Sequence, residues 1–147
     1  MIAAGAAKFA KMDGLAVGQT ASLKVEVTGA LVDAFAHLSG DDNPIHMSDS
    51  FAESAGFASR VAHGALLGAY VSKLIGTKLP GAGCLWLKQQ FQWRVPVLIG
   101  DTVEITARVK HISAGTNIVL LTMQACNQQG TVVMDGEGAV ALPKETA

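Results

Sequence analysis

The chain has 147 residues, with 11 Lys and Arg against 12 Asp and Glu, a net charge of −1 and a pI near 6.4, so no basic surface recommends nucleic acid as a partner. Half of the residues are apolar and mean hydropathy is +0.34. Even so, the longest apolar stretch, residues 61–75, contains His63, Ser72 and Lys73, which argues against a membrane span and for a buried helix, a large subunit interface, or both.

The length suits one domain, residues 1–147, with a real core. Few aromatics and abundant Ala and Gly fit close backbone packing better than an aromatic-lined groove. Residues 1–10 do not read as a secretory signal, because Lys8 and Lys11 follow the weakly apolar residues instead of preceding them. Cys84 and Cys126 form no Cys-x-x-Cys pair and read as two buried thiols of a cytoplasmic protein.

Residues 20–28 (TASLKVEVT) alternate and predict a first strand. Residues 30–38 follow with Leu31, Ala34, Phe35 and Leu38 at helical spacing. Gly40, Asn43 and Pro44 then predict a loop over residues 39–46. Residues 48–55 open on a cap-like Ser and predict a short helix. Residues 63–77 are apolar nearly all round, which predicts a helix buried on most sides. After the turn at residues 79–83 the pattern is β: residues 84–95, 102–111, 117–127 and 131–142. One strand, a helical segment and consecutive antiparallel strands make an α+β layout in which a meander curls around one buried helix. Such a sheet has exposed edges, and pairing two subunits is a common way to hide them.

The chemistry concentrates in Ser39-Gly40-Asp41-Asp42-Asn43-Pro44-Ile45-His46. A carboxylate and an imidazole that reach one water can between them remove and deliver protons near neutral pH. The Asn43-Pro44 turn lets side chains five residues apart converge without a helix. Gly64 opens the central helix, where a backbone N–H and the helix dipole suit a developing oxyanion. Having no side chain, it admits a close carbonyl. Helical spacing from Gly64 places Leu67, Gly68, Val71, Ser72 and Ile75 on one face.

That segment resembles the hydratase motif Asp-x-Asn-Pro-x-His of the MaoC-like branch of the hot-dog fold, specifically the (R)-specific enoyl-CoA hydratases. Arg60-Val61-Ala62-His63-Gly64, Leu79-Pro80-Gly81-Ala82-Gly83 and residues 92–101 (QWRVPVLIGD) match in order and spacing. The resemblance implies an antiparallel β-sheet wrapped around a long central α-helix. It also implies syn addition of water to a trans-2-enoyl thioester, or the reverse dehydration. It assigns Asp41 and His46 to the water and the α proton and Gly64 N–H to the thioester oxygen. It selects Asp41 over Asp42, which becomes a solvated loop acid. Ser72 would face the site and bond the Asp41 carboxylate, or else bond back to the Gly68 carbonyl. Leu67, Val71 and Ile75 would line an acyl pocket, and Asn43 would touch substrate or hold the turn. No metal or redox cofactor is implied. CoA or the pantetheine of an acyl carrier protein is the handle, and the protein is a homodimer with acyl tunnels near the interface.

The same residues admit other readings. Asp42 and His46 stand at i, i+4 as metal ligands would, but Pro44 between them opposes a helix and no further ligand pair exists. His63 reads as a packing or capping residue, and His37 and His111 as structural or exposed. A hot-dog thioesterase would use a carboxylate near the central helix, yet residues 63–77 contain no Asp or Glu. A non-catalytic acyl-thioester-binding module would not need both Asp41 and His46.

Overall fold

A computed structural model describes residues 8–144; residues 1–7, part of the stretch read as lacking a secretory signal, lie outside it. Strand β1 (Thr20–Glu26) turns Leu23 and Val25 inward and Lys24 and Glu26 outward, as its alternation requires. Helix α1 (Gly29–Ser39) starts where the Thr28 hydroxyl accepts from Leu31 N–H at 3.1 Å. It stops at Gly40, whose φ of 77° closes the last turn in the left-handed region. Its buried residues are Val32 and Ala36, whereas Leu38 is 82% exposed. The stripe Leu31, Ala34, Phe35 and Leu38 instead walls an open apolar groove with Leu66 and Tyr70 of the central helix.

The predicted loop over residues 39–46 is corrected at its end. Pro44 does not break structure; it opens the helical turn α2 (Pro44–Met47), with Asn43 as its cap. Proline is well suited to a first helical position, since its missing N–H would have no helical acceptor there. Helix α3 (Asp49–Ser54) is capped by Ser48, whose hydroxyl accepts from Phe51 N–H at 3.2 Å.

Helix α4 (Gly64–Thr77) is central but one-sided. Leu66, Leu67, Val71, Leu74 and Ile75 are buried, while Ala65, Ala69, Ser72, Lys73 and Gly76 are exposed. The expectation of burial on most sides fails because the outward face is small and weakly apolar, not covered. No helix among the described residues is long and apolar enough to cross a membrane.

Strands β2 (Leu85–Trp93), β3 (Thr102–Ser113), β4 (Ile118–Cys126) and β5 (Val132–Ala141) join β1 in one antiparallel sheet of order β1-β3-β4-β5-β2. The meander covers β3 to β5 only; β2 lies at the far edge, beside β5. Residues Val103, Ile105, Leu121, Met123 and Val140 from the sheet join Leu67, Val71 and Leu74 of α4 in one core. The two cysteines are half-buried, not buried, and free. Cys84 donates to the Ile75 carbonyl at 3.5 Å, and partial burial raises its thiol pKa.

Before α4, residues 60–62 lie antiparallel to residues 97–99. Ala62 N–H donates to the Val97 carbonyl at 2.7 Å and Ile99 N–H to the Arg60 carbonyl at 3.1 Å. On the other side, Val61 N–H donates to the Ile45 carbonyl at 3.0 Å. The chain leading into α4 is therefore fixed between α2 and the segment that follows Pro96.

Candidate active site

Asp41 follows the glycine that ends α1. Its Oδ1 accepts from Asn43 N–H at 3.2 Å, which folds the loop back toward α2, and its Oδ2 lies 3.9 Å from His46 Nε2. That separation exceeds a direct hydrogen bond but is short enough for one water to contact both. His46 is buried, and its Nδ1 meets the Val61 carbonyl at 2.6 Å. A carbonyl only accepts, so Nδ1 carries the hydrogen and Nε2 of the neutral ring presents a lone pair toward Asp41.

His63 sits directly beneath. It occupies the cap position of α4 without a side-chain capping bond. Its Nε2 bonds the Asp41 backbone carbonyl at 2.8 Å, and its ring stacks on His46 with centroids 3.8 Å apart. Gly64 follows as the first residue of α4, where its N–H has no helical acceptor. The space a Cβ would fill at Gly64 is taken by Trp93, whose Nε1 would lie 2.7 Å away. Trp93 Nε1–H donates to the Gly64 carbonyl at 3.1 Å. The glycine is therefore demanded by the indole.

A cavity of about 310 Å³ opens beside these groups, with His46, His63, Gly64, Leu67 and Trp93 on its walls. Arg94 stands at the same cavity, held by Asp135 through two bonds of 2.9 and 3.1 Å that raise the guanidinium's pKa, the hydrogen bonds more than the bare charge.

The structure thus brings Asp41, His46, Gly64 and Leu67 to one place. It does not bring Val71, Ile75 or Ser72 to this cavity. Val71 and Ile75 are buried in the core against the sheet, so they do not line it. Ser72 is exposed and makes no hydrogen bond to Asp41, because one residue beyond Val71 the helix has turned about 100° toward the open side. Asn43 is exposed and caps α2, the structural alternative for it. Asp42 is exposed, as are His37 and His111.

A metal-ligand triplet does occur, but from Asp41, His46 and His63, whose ligand atoms fall within 4.8 Å of one another. Asp42 precedes the Asn43 cap, so its i, i+4 spacing to His46 is never helical. In the triplet, one nitrogen of each imidazole is already engaged by a backbone carbonyl. Those bonds fix the two rings, and a structural zinc would want a fourth ligand beyond these three.

Two further residues contribute through packing, which spacing along the chain does not show. Trp93 falls in the predicted strand 84–95 and in the 92–101 motif, neither of which assigns it a role; an indole beside a glycine is visible only in three dimensions. Arg60 read only as part of the Arg60–Gly64 motif. Its Nε donates to the His46 carbonyl, its Nη2 pairs with Asp33 of α1, and its backbone N–H donates to Asp49 Oδ1 at 3.0 Å. Arg60→Met is expected to cost about 1–3 kcal/mol, from loss of the charged donor to a half-closed carbonyl. The exposed Asp33 contact adds little. Urea denaturation followed by tryptophan fluorescence measures this, and an unchanged midpoint would remove Arg60 from the scaffold.

The MaoC like domain profile matches residues 14–128. The chain is 38% identical over 133 residues to the 3-hydroxybutyryl-CoA dehydratase of Methylorubrum extorquens, covering 90% of this chain and 84% of that protein. It is 38% identical over 129 residues to the (R)-specific enoyl-CoA hydratase of Aeromonas caviae, covering 88% and 96%. The unliganded R-hydratase of Pseudomonas aeruginosa superposes with a TM-score of 0.88 at 34% identity, covering 93% of this chain and 88% of that one.

Proposed function

Because this chain belongs to the MaoC-like family and has its hot-dog fold, we propose that Asp41, His46 and Gly64 are the working groups of an (R)-specific 2-enoyl-CoA hydratase, which also runs in reverse as a 3-hydroxyacyl-thioester dehydratase. The observation that carries this reading is the 3.9 Å gap between Asp41 Oδ2 and a bare His46 Nε2 beside the cavity.

A water held by both groups loses one proton to the pair as its oxygen attacks the β carbon. The pair returns a proton to the α carbon on the same face, so the net change is addition of H and OH across the double bond, syn. The electron pair displaced toward the thioester oxygen is stabilised by Gly64 N–H at the head of α4, where the helix dipole adds favourable field. Leu67 and Trp93 wall the acyl end of the cavity. The substrate is an acyl thioester, with CoA as the handle.

The protein works as a homodimer in which β2 and the exposed face of α4 meet a second copy. β2 is an edge strand with Leu85 63% and Leu87 50% exposed. Beside it α4 offers Ala65, Ala69 and Gly76, which permit close approach. Ser72 lies on that face, so its role belongs to the interface. A reducing cytoplasm suits the two free thiols. Sedimentation at micromolar concentration is expected to give twice the 15.2 kDa chain mass, and Leu87→Lys to give monomer. A monomeric wild type would remove the dimer.

The activity itself is tested with trans-2-enoyl-CoA substrates from four to twelve carbons. Loss of the conjugated thioester absorbance without release of thiol is expected. Thiol release would make the protein a thioesterase, and an unchanged spectrum with every chain length would end the hydratase reading.

A further inference from the structure

His63 is 2% exposed, and its Nδ1 is a buried polar atom without a hydrogen-bond partner. A residue that only filled space would not need that orphaned nitrogen, since a phenyl or an aliphatic side chain fills space without it. What the imidazole provides is two contacts at once. Because the Asp41 carbonyl can only accept, His63 Nε2 carries the hydrogen, donating at 2.8 Å. The flat of the ring supports His46 at 3.8 Å and 28°, and the Phe35 ring lies against it, tilted, with centroids 4.9 Å apart.

Resting on the hydratase reading of Asp41 and His46, we infer that His63 is a positioning residue that sets their spacing, holding the backbone of one by its Nε2–H and the ring of the other by its face. His46 is then fixed on two sides by neighbours in sequence: its edge by the Val61 carbonyl and its face by His63. Gly64 follows immediately. Residues 61–64 therefore fix the carboxylate, the imidazole and the oxyanion amide from one short run of chain. A shift of either partner would change the 3.9 Å gap into which the water fits. Misplacing a reacting group by about 1 Å can cost a hundredfold in rate.

The two contacts are separable. His63→Gln keeps an N–H donor and loses the stacking ring; His63→Phe keeps a ring and loses the donor. Each is expected to lower kcat for enoyl-CoA hydration by about tenfold or more with KM within about twofold, because binding surfaces are left in place. In an Asp41→Asn background, His63→Phe is expected to cost less than about threefold further, since it acts through a group already disabled. Nitrogen-15 NMR of the wild-type protein supplies a readout that needs no variant: His63 protonated on Nε2 and bare on Nδ1. A His63 hydrogen on Nδ1, a folded variant with wild-type kcat, or full additivity with Asp41→Asn would each overturn the inference. If the variants do not fold, the wild-type tautomer alone decides. Failure of wild type to hydrate any enoyl-CoA would instead sink the hydratase reading, whatever the tautomer.

Discussion

Asp41→Asn and His46→Gln are each expected to lower kcat for hydration by about 10²–10⁴-fold, the range for removing a group that moves a proton in the transition state. Both changes spare the scaffold. Asp41 is exposed, and the asparagine oxygen can still accept from Asn43 N–H to hold the turn. Gln at position 46 can donate to the Val61 carbonyl as the imidazole Nδ1 does. What is lost is the negative charge in the first case and the bare nitrogen in the second. The two side chains act on one water, so the double variant should be little worse than the poorer single one. Steady-state rates, read beside a thermal melt that shows the fold intact, measure this. A folded single variant with near-wild-type kcat would refute the assignment of that residue.

Gly136→Ala is expected to be the most damaging small change to stability. A Cβ at Gly136 would stand 1.9 Å from the Gln90 carbonyl oxygen and 2.9 Å from its carbon, both backbone atoms of β2. No side chain can rotate to relieve that contact, so β2 must move off β5, with which it pairs along Leu85–Trp93. The cost is about 3 kcal/mol or more, at the upper end of overpacking. For a chain of this length that is a fall of about 6–12 °C in Tm. Activity should fall too, because the displaced strand carries Trp93, which bonds Gly64. Gly115→Ala is the control: its Cβ would meet nothing within 4 Å and its φ is not in the left-handed region. It should change stability by less than about 0.5 kcal/mol. Equal melting temperatures for Gly136→Ala and wild type would contradict the close β2–β5 packing.

The parts of this molecule that were legible in the sequence are those set by local chemistry. Gly40 ends α1, Ser48 caps α3 and alternation marks β1, each set within a few residues, whereas Thr28, which the alternation of residues 20–28 assigns to the strand, is instead the cap of α1. The run from Asp41 to His46 stands out through its match to the Asp-x-Asn-Pro-x-His motif, and the short loop brings its own ends together. Where distant chain decides, the reading failed. Nothing near residues 84–95 states that β2 lies beyond β5, and nothing near Gly64 announces the indole of Trp93 beside it. The resemblance, joined to helical spacing, turns Ser72 toward the site, whereas in the single chain it is exposed. Spacing places it close to the face of Leu67 and Val71, but which arc of α4 the sheet covers is fixed by Val103, Ile105 and Leu121, far along the chain. The groove between α1 and α4 likewise depends on both helices: spacing shows the apolar stripe of α1 but not the α4 residues it faces.

The most direct test of the account is hydration of trans-crotonyl-CoA in deuterium oxide, with the product examined by proton NMR and by chiral chromatography. The account predicts (R)-3-hydroxybutyryl-CoA carrying one deuterium at the α carbon, as a single diastereomer with hydroxyl and deuterium added to the same face, and no free CoA. An S product, a mixture of diastereomers, or CoA release with the double bond intact would contradict it.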